Sequence, residues 1–184
     1  MSGGNAADKV VILDRDGTLV IDRGYLSDPA GLEFEPGAAE GVKWLYSRGY
    51  RLVVITNQSG VGRGLFTLER LEAMNERLNV MAEEAGAKLE GIYYCPHAPD
   101  DGCDCRKPAL GLMTRAASEL GFDPKSAIMI GDQESDMEFG RRAGATTVLI
   151  AAGASAAHVR TEPDIIASNL MEAARAIIAL RGSS

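Results

Sequence analysis

Asp14 and Asp16 stand two residues apart where the apolar run from Val10 stops, and Gly17-Thr18 follows them directly. Carboxylates at the carboxyl end of a buried strand lie where open α/β sheets bind ligands, and a pair of them can divide nucleophilic and acid–base work. They can equally be turn residues, since Asp and Gly close tight turns. Three further polar groups end apolar runs downstream: Thr56-Asn57, Arg106-Lys107 and Asp132. A hydroxyl, cations and another carboxylate gathered beside the first pair would suit one reaction, whereas each taken singly is ordinary turn or surface chemistry.

A second constellation is more compact. All three cysteines of the chain, Cys95, Cys103 and Cys105, and one of its two histidines, His97, fall within eleven residues. The stretch is rich in Pro, Asp and Gly rather than core-like, and an odd cysteine count does not suit a secreted disulfide framework. Cys₃His is a good tetrahedral set for Zn²⁺, and four protein ligands leave no position for water, so the metal is expected to be structural. Ordering a polar loop is entropically costly, and zinc can supply ~10 kcal/mol or more towards forming its site. The loop runs straight into Arg106 and Lys107, so zinc would aim those cations.

The elements that must position these groups alternate between strand and helix. Val10–Leu13 predicts a buried parallel strand ending on Asp14. A polar connector, Ile21–Pro36, is irregular and belongs beside that strand end. Ala38, Val42 and Leu45 recur at helical spacing until Gly49, and Leu52–Thr56 predicts the second strand. A helix over about Thr67–Glu84 presents Leu71, Met74, Leu78 and Met81 on one face, the methionines as core filler. Ile92–Tyr94 predicts a short strand before the cysteine cluster, and Leu112, Ala116 and Leu120 a helix stopped by Gly121. A strand at Ala127–Ile130, a helix over about Ser135–Ala143, strands at Thr146–Ile150 and Ile165–Ile166, and a helix over about Asn169–Leu180 complete the chain. Parallel strands need crossovers, so the alternation predicts a three-layer α/β domain with helices on both faces of one sheet.

Composition bounds the partners. The 184 residues, 46% of them apolar, predict one domain spanning 1–184, with 1–8 and 181–184 as flexible tails. A net charge of −7 argues against nucleic-acid or anionic-membrane partners, so any cations for an anionic ligand must be gathered locally. No apolar run reaches 18 residues, and Met1–Lys9 lacks a signal-peptide core, which predicts a soluble cytoplasmic protein, expected to be a monomer.

DRDGT at 14–18, the Thr of ITNQ at 55–58, the Lys of CRKP at 105–108 and GDQESD at 131–136 occur in one order across roughly Val10–Ala145. Together they resemble the four motifs of the haloacid dehalogenase (HAD) superfamily, which implies a Rossmann-like, HAD-like parallel sheet and phosphatase chemistry. The resemblance assigns Asp14 as nucleophile, forming an aspartyl-phosphate, and Asp16 as the acid and base that serves leaving group and water. It implies Mg²⁺ on Asp14, the Asp16 carbonyl and Asp132, with Thr56 and Lys107 on the remaining phosphoryl oxygens. Asp136, one helical turn after Asp132, can hydrogen-bond Lys107 or can be a plain helix-end charge.

DRDGT with CxH, CxC and RKP narrows the resemblance to the subfamily of heptose 1,7-bisphosphate and histidinol-phosphate phosphatases, which carry a zinc loop and no large cap domain. Asp22-Arg23-Gly24-Tyr25-Leu26 and Gln58-Ser59-Gly60-Val61-Gly62-Arg63-Gly64 favour the heptose group. The implied substrate contacts are Asp22, Tyr25, Asn57, Gln58, Ser59, Arg63 and Arg106, the last two as cations for a phosphate that is not cleaved. Only five residues separate His97 from Cys103, a spacing shared with the histidinol group. The expectation is therefore hydrolysis of the 7-phosphate of a heptose 1,7-bisphosphate, a small sugar phosphate. Histidinol phosphate is the alternative substrate, and a non-catalytic sugar-phosphate binding module is the alternative of another class.

Overall fold

The structure is a computed structural model that describes residues 9–151 and 158–182. β1 (Val10–Leu13) is buried at all four residues, and its side chains divide by parity. Val11 and Leu13 enter one apolar cluster, Val10 and Ile12 the other. β2 (Arg51–Asn57) repeats the division, with Leu52 and Val54 on the first side and Val53 and Ile55 on the second. This is the period-two geometry of a strand covered on both faces, and it explains why these runs read as continuously apolar.

The six strands are all parallel, in the order β3-β2-β1-β4-β5-β6. Here β3 is Leu89–Cys95, β4 Ile128–Gly131, β5 Thr146–Ile150 and β6 Ile165–Ala167. Helices α1 (Ala38–Tyr46), α2 (Leu68–Glu84) and α5 (Leu170–Gly182) cover the first face through Val42, Leu45, Met74, Leu78 and Ile177. Helices α3 (Gly111–Leu120) and α4 (Glu134–Ala143) cover the second through Leu112, Met113, Ala116 and Phe139. β1 sits between β2 and β4, so the chain leaves it in one direction and later returns on its other side. Such a switch point opens a crevice at the carboxyl ends of the two central strands.

Some boundaries differ from the sequence expectation. β3 begins at Leu89 rather than Ile92, where Leu89 pairs with Leu52 ahead of a register shift at Glu90, and Arg51 pairs with Glu90 at 2.7 Å. A polar pair at a strand start carries no apolar signal. α5 continues through Gly182, past the expected stop at Leu180, so of the expected tails only 1–8 and 183–184 lie outside the described residues. The connector after β1 is irregular except for a 3₁₀ turn at Pro29–Gly31. It is lashed to the end of β1 by Ile21 N–H to Glu33 C=O (3.0 Å) and Glu35 N–H to Leu19 C=O (2.9 Å). No inserted cap domain is present among the described residues, and none of their helices is long and apolar enough to cross a membrane.

Candidate active site

The turn after β1 is built by backbone bonds before any side chain takes part. Asp14 N–H donates to Ile130 C=O of β4 (2.9 Å), and Leu19 and Val20 N–H both donate to Arg15 C=O (2.9 Å each). Gly17 has φ +79°, and a Cβ there would lie 2.5 Å from Asp132 Oδ2, so conformation and space both require glycine. The consequence is that the acids ending β1 face Asp132, which follows β4.

Lys107 is the cation at the centre of this crevice. Its Nζ donates to Asp14 Oδ1 (2.6 Å) and to Ile55 C=O (2.8 Å), and pairs with Asp136 Oδ1 at 2.6 Å. Burial disfavours the ammonium, but the carboxylates of Asp136 and Asp14 outweigh it and push the lysine above its ordinary pKa. Asp136 stands in the first turn of α4 and also accepts from Gln133 N–H (3.1 Å). Asn57 lines the cavity, but its observed side-chain bonds are not to another site side chain. It grips the backbone of Lys107 instead, accepting from the lysine N–H at 3.0 Å and donating to its C=O at 3.2 Å.

Asp14, Asp132 and Asp136 can bring one oxygen each within 4.8 Å of the others. Burial, then the charges of Asp14 and Asp136, push the Asp132 carboxyl up to about 7. Three carboxylates against one lysine leave a negative excess, and a hard oxygen donor set of this kind fits a divalent cation such as Mg²⁺. Gln133 Nε2 donates to Asp132 Oδ2 (2.5 Å) and Thr18 Oγ1 to Oδ1 (3.4 Å), so that carboxylate is oriented from two sides.

Asp16 sits on the other flank, a quarter exposed, in a network of its own. Arg15 Nε donates to both of its oxygens (3.2 Å each), and Arg15 Nη2 donates to Oδ1 (3.1 Å). Gln58 Nε2 donates to Asp16 Oδ2 (2.6 Å) and to Thr56 Oγ1 (3.0 Å), and Gln58 Oε1 accepts from Arg15 Nη2 (2.8 Å). Burial raises the Asp16 pKa, Arg15 lowers it and Asp14 raises it again, with the balance upward.

Two cavities adjoin here. One, about 330 Å³, is lined by Asp14, Asp16, Asp22, Thr56, Asn57, Arg106, Lys107 and Asp136 among others. The next, about 320 Å³, shares Asp16, Asp22 and Asn57 and adds Tyr25, Gln58, Ser59 and Phe66. Arg106 is half-buried, and its Nη1 is buried with no hydrogen-bond partner among the described residues. Arg63 departs from the expectation. It is exposed on the loop after β2 and lines neither cavity, and its N–H bonds back to Ser59 C=O (2.9 Å). Gln58 departs too, its amide being spent on Asp16, Thr56 and Arg15.

The Cys/His cluster lies at the end of β3. Cys95, His97, Cys103 and Cys105 place one ligand atom each within 4.8 Å of the others. Cys95 Sγ is 3.5 Å from Cys103 Sγ and 3.2 Å from Cys105 Sγ, and His97 Nδ1 is 3.2 Å from Cys105 Sγ. All three thiols are free. A zinc tetrahedron with bonds of about 2.3 Å has S···S edges of roughly 3.8 Å, so this set fits the ion closely. The loop after β2 is stitched onto the cluster, Gln58 N–H to Cys95 C=O (2.8 Å) and Gly62 N–H to Pro96 C=O (2.7 Å).

The residues missed by sequence reasoning are Arg15, Gln133 and Thr18, each bonded to a carboxylate of the site. Arg15 and Thr18 lie inside DRDGT and Gln133 inside GDQESD, but adjacency along the chain does not reveal which side chain turns inward.

A family model described as HAD-hydrolase-like matches residues 104–173. The D-glycero-beta-D-manno-heptose-1,7-bisphosphate 7-phosphatase of Haemophilus ducreyi is 38% identical over 173 residues, 89% of this chain and 95% of that one. The enzyme of that name from Helicobacter pylori strain J99 is 45% identical over 137 residues, 74% of this chain and 79% of that one. Among solved structures, D,D-heptose 1,7-bisphosphate phosphatase from B. bronchiseptica, complexed with magnesium and phosphate, matches with a TM-score of 0.84 at 28% identity, covering 94% of this chain and 99% of that chain. The phosphatase from Burkholderia thailandensis matches at 0.71 and 27% identity, covering 93% and 99%.

Proposed function

This chain belongs to the heptose-1,7-bisphosphate 7-phosphatases of the HAD-like hydrolases, and we propose on that ground that it removes the 7-phosphate of D-glycero-D-manno-heptose 1,7-bisphosphate through an aspartyl-phosphate intermediate. The observation that carries the mechanism is the buried Lys107 ammonium, 2.6 Å from Asp14 Oδ1, in the lining of a cavity that Thr56 and Arg106 also line.

With Oδ1 held by Lys107, Asp14 Oδ2 is the oxygen assigned to attack. The new O–P bond forms as the P–O bond to the sugar breaks, and the leaving oxygen takes its electron pair and a proton from Asp16. Asp16, now a carboxylate, takes a proton from water as that water attacks phosphorus, which releases phosphate and restores Asp14. Thr56 and Lys107 hold the other oxygens, where charge spreads in the loose transition state. Magnesium held by Asp14, the Asp16 carbonyl and Asp132 supplies the neutralisation that lets a dianion approach an anionic nucleophile. Zinc on Cys95, His97, Cys103 and Cys105 is structural. Arg106 receives the phosphate that is kept, and the adjoining cavity at Asp22, Tyr25 and Ser59 receives the sugar. A partner of this kind is a small molecule, and the protein works as a soluble cytoplasmic monomer.

The test is kcat/KM for both anomers of heptose 1,7-bisphosphate and for histidinol phosphate. A heptose bisphosphate is expected to be turned over best, and a clear preference for histidinol phosphate overturns the assignment. Asp14→Asn is expected to lower kcat at least ~10³-fold, in the range that losing a nucleophile costs, with an unchanged circular dichroism spectrum. Near-native activity in that variant overturns the mechanism.

A further inference from the structure

Arg15 is the residue that no role yet covers, although it stands between the two acids. It is 2% exposed, and its guanidinium spends three N–H contacts on Asp16 and one on Gln58 Oε1. Gln58 closes the figure by donating to Asp16 Oδ2 and to Thr56 Oγ1. Asp16 is thus gripped on both oxygens by groups from two strand ends.

A structural account of this arrangement is weak. Burying a guanidinium is costly, and buried ion pairs add little net stability over apolar packing. An ion pair usefully staples a fold when it joins distant segments, yet Arg15 and Asp16 are neighbours in the chain, and only the single bond to Gln58 Oε1 crosses to the end of β2. The guanidinium also keeps Nη1 buried without a partner among the described residues, a further cost. What the fork does achieve is to fix the rotamer of one carboxylate, and a group that hands over a proton needs such placement.

We propose that Arg15, with Gln58 as a second arm, is a positioning residue that holds the Asp16 carboxyl group at the leaving oxygen. The proposal rests on the reading of Asp16 as acid and base given above. It implies that losing Arg15 impairs the protonation of a poor leaving group and spares a substrate whose leaving group needs no proton. Nitrophenolate is such a group, being a stable anion, whereas a sugar alkoxide is not.

The experiment compares kcat/KM, which reports events up to departure of the leaving group, for heptose 1,7-bisphosphate and p-nitrophenyl phosphate in Arg15→Met, Arg15→Lys, Gln58→Leu and Asp16→Asn. Arg15→Met is expected to lose at least ~30-fold on the sugar phosphate and less than about 3-fold on the aryl phosphate, within the reach of general acid catalysis. Arg15→Lys, which keeps the charge but not the fork, should fall between. Asp16→Asn should show the same selectivity more strongly, and adding Arg15→Met to it should cost little more. If Arg15→Met does not fold, Arg15→Lys carries the test at smaller size; Gln58→Leu, which also frees Thr56 Oγ1, is expected to add a loss on both substrates to the same selectivity. Equal losses on both substrates in the folded Arg15 variants, with Asp16→Asn selective, overturn the role of Arg15 alone. Equal losses in Asp16→Asn overturn the underlying assignment of Asp16.

Discussion

At the scale of residues, the site is governed by how few cations face how many anions. Lys107 lies in the interior beside Asp14 and Asp136, so a phosphate bound farther out needs another cation. Arg106, next to it in the chain, is half-buried with Nη1 unpartnered among the described residues, and it lines the same cavity. A guanidinium can take a phosphate through two parallel N–H bonds. Arg106→Ala is therefore expected to lower kcat/KM for a heptose bisphosphate by ~10-fold or more, of the order lost with one charged hydrogen bond, and to leave a sugar monophosphate nearly unaffected. Equal losses on both substrates would show that Arg106 does not grip the second phosphate. Arg63, expected for the same task from its place in the glycine-rich stretch, is exposed and outside both cavities.

At the scale of elements, the loop between β3 and α3 does two jobs with one backbone. Its first half gathers Cys95, His97, Cys103 and Cys105, and its second half delivers Arg106 and Lys107 to the ends of β1 and β2. The loop after β2 braces it at Gly62, where an added Cβ would stand 2.5 Å from Ala98 N and 2.8 Å from Pro96 O. Gly62→Ala must therefore push the two loops apart and break the 2.7 Å bond from Gly62 N–H to Pro96 C=O. An overpacking cost of ~1–3 kcal/mol is expected. Metal analysis after dialysis should show less than one zinc per chain in this variant and one in the wild type, with a parallel fall in kcat/KM. Full zinc retention and native activity would show that the brace is dispensable. A wild type without zinc after dialysis would contradict the Cys₃His assignment.

At the scale of the whole molecule, the candidate catalytic residues and the stabilising ones are segregated along the strands. The carboxyl ends of β1, β2 and β4 carry the polar groups, and two apolar clusters fill the space between sheet and helices. Leu45 on α1 is fully buried in the first cluster and lines neither cavity of the site. Leu45→Ala is expected to cost about 2–5 kcal/mol, seen as roughly 2–4 °C of Tm per kcal/mol, with kcat within about twofold of wild type. A large loss of kcat in the folded variant would show that packing under α1 reaches the site.

The alternation of strands and helices, the acids at the end of β1 and the Cys₃His set were all legible in the chain, because each is a local pattern of polarity or ligand type at fixed spacing. The three-residue difference at the start of β3 arose where Glu90 and Gly91 interrupt the apolar run after Leu89, and local polarity is all that periodicity can read. What only the tertiary structure decided is which of several chemically suitable side chains meet. Asn57 and Gln58 read alike as ligands for substrate, but one clasps the Lys107 backbone and the other Asp16. Arg15 drew no assignment from the sequence and holds one of the two acids between which it stands. These partnerships join residues more than 40 positions apart, or turn one of two neighbours inward, and that outcome belongs to the sheet order and the turn after β1 rather than to residue type.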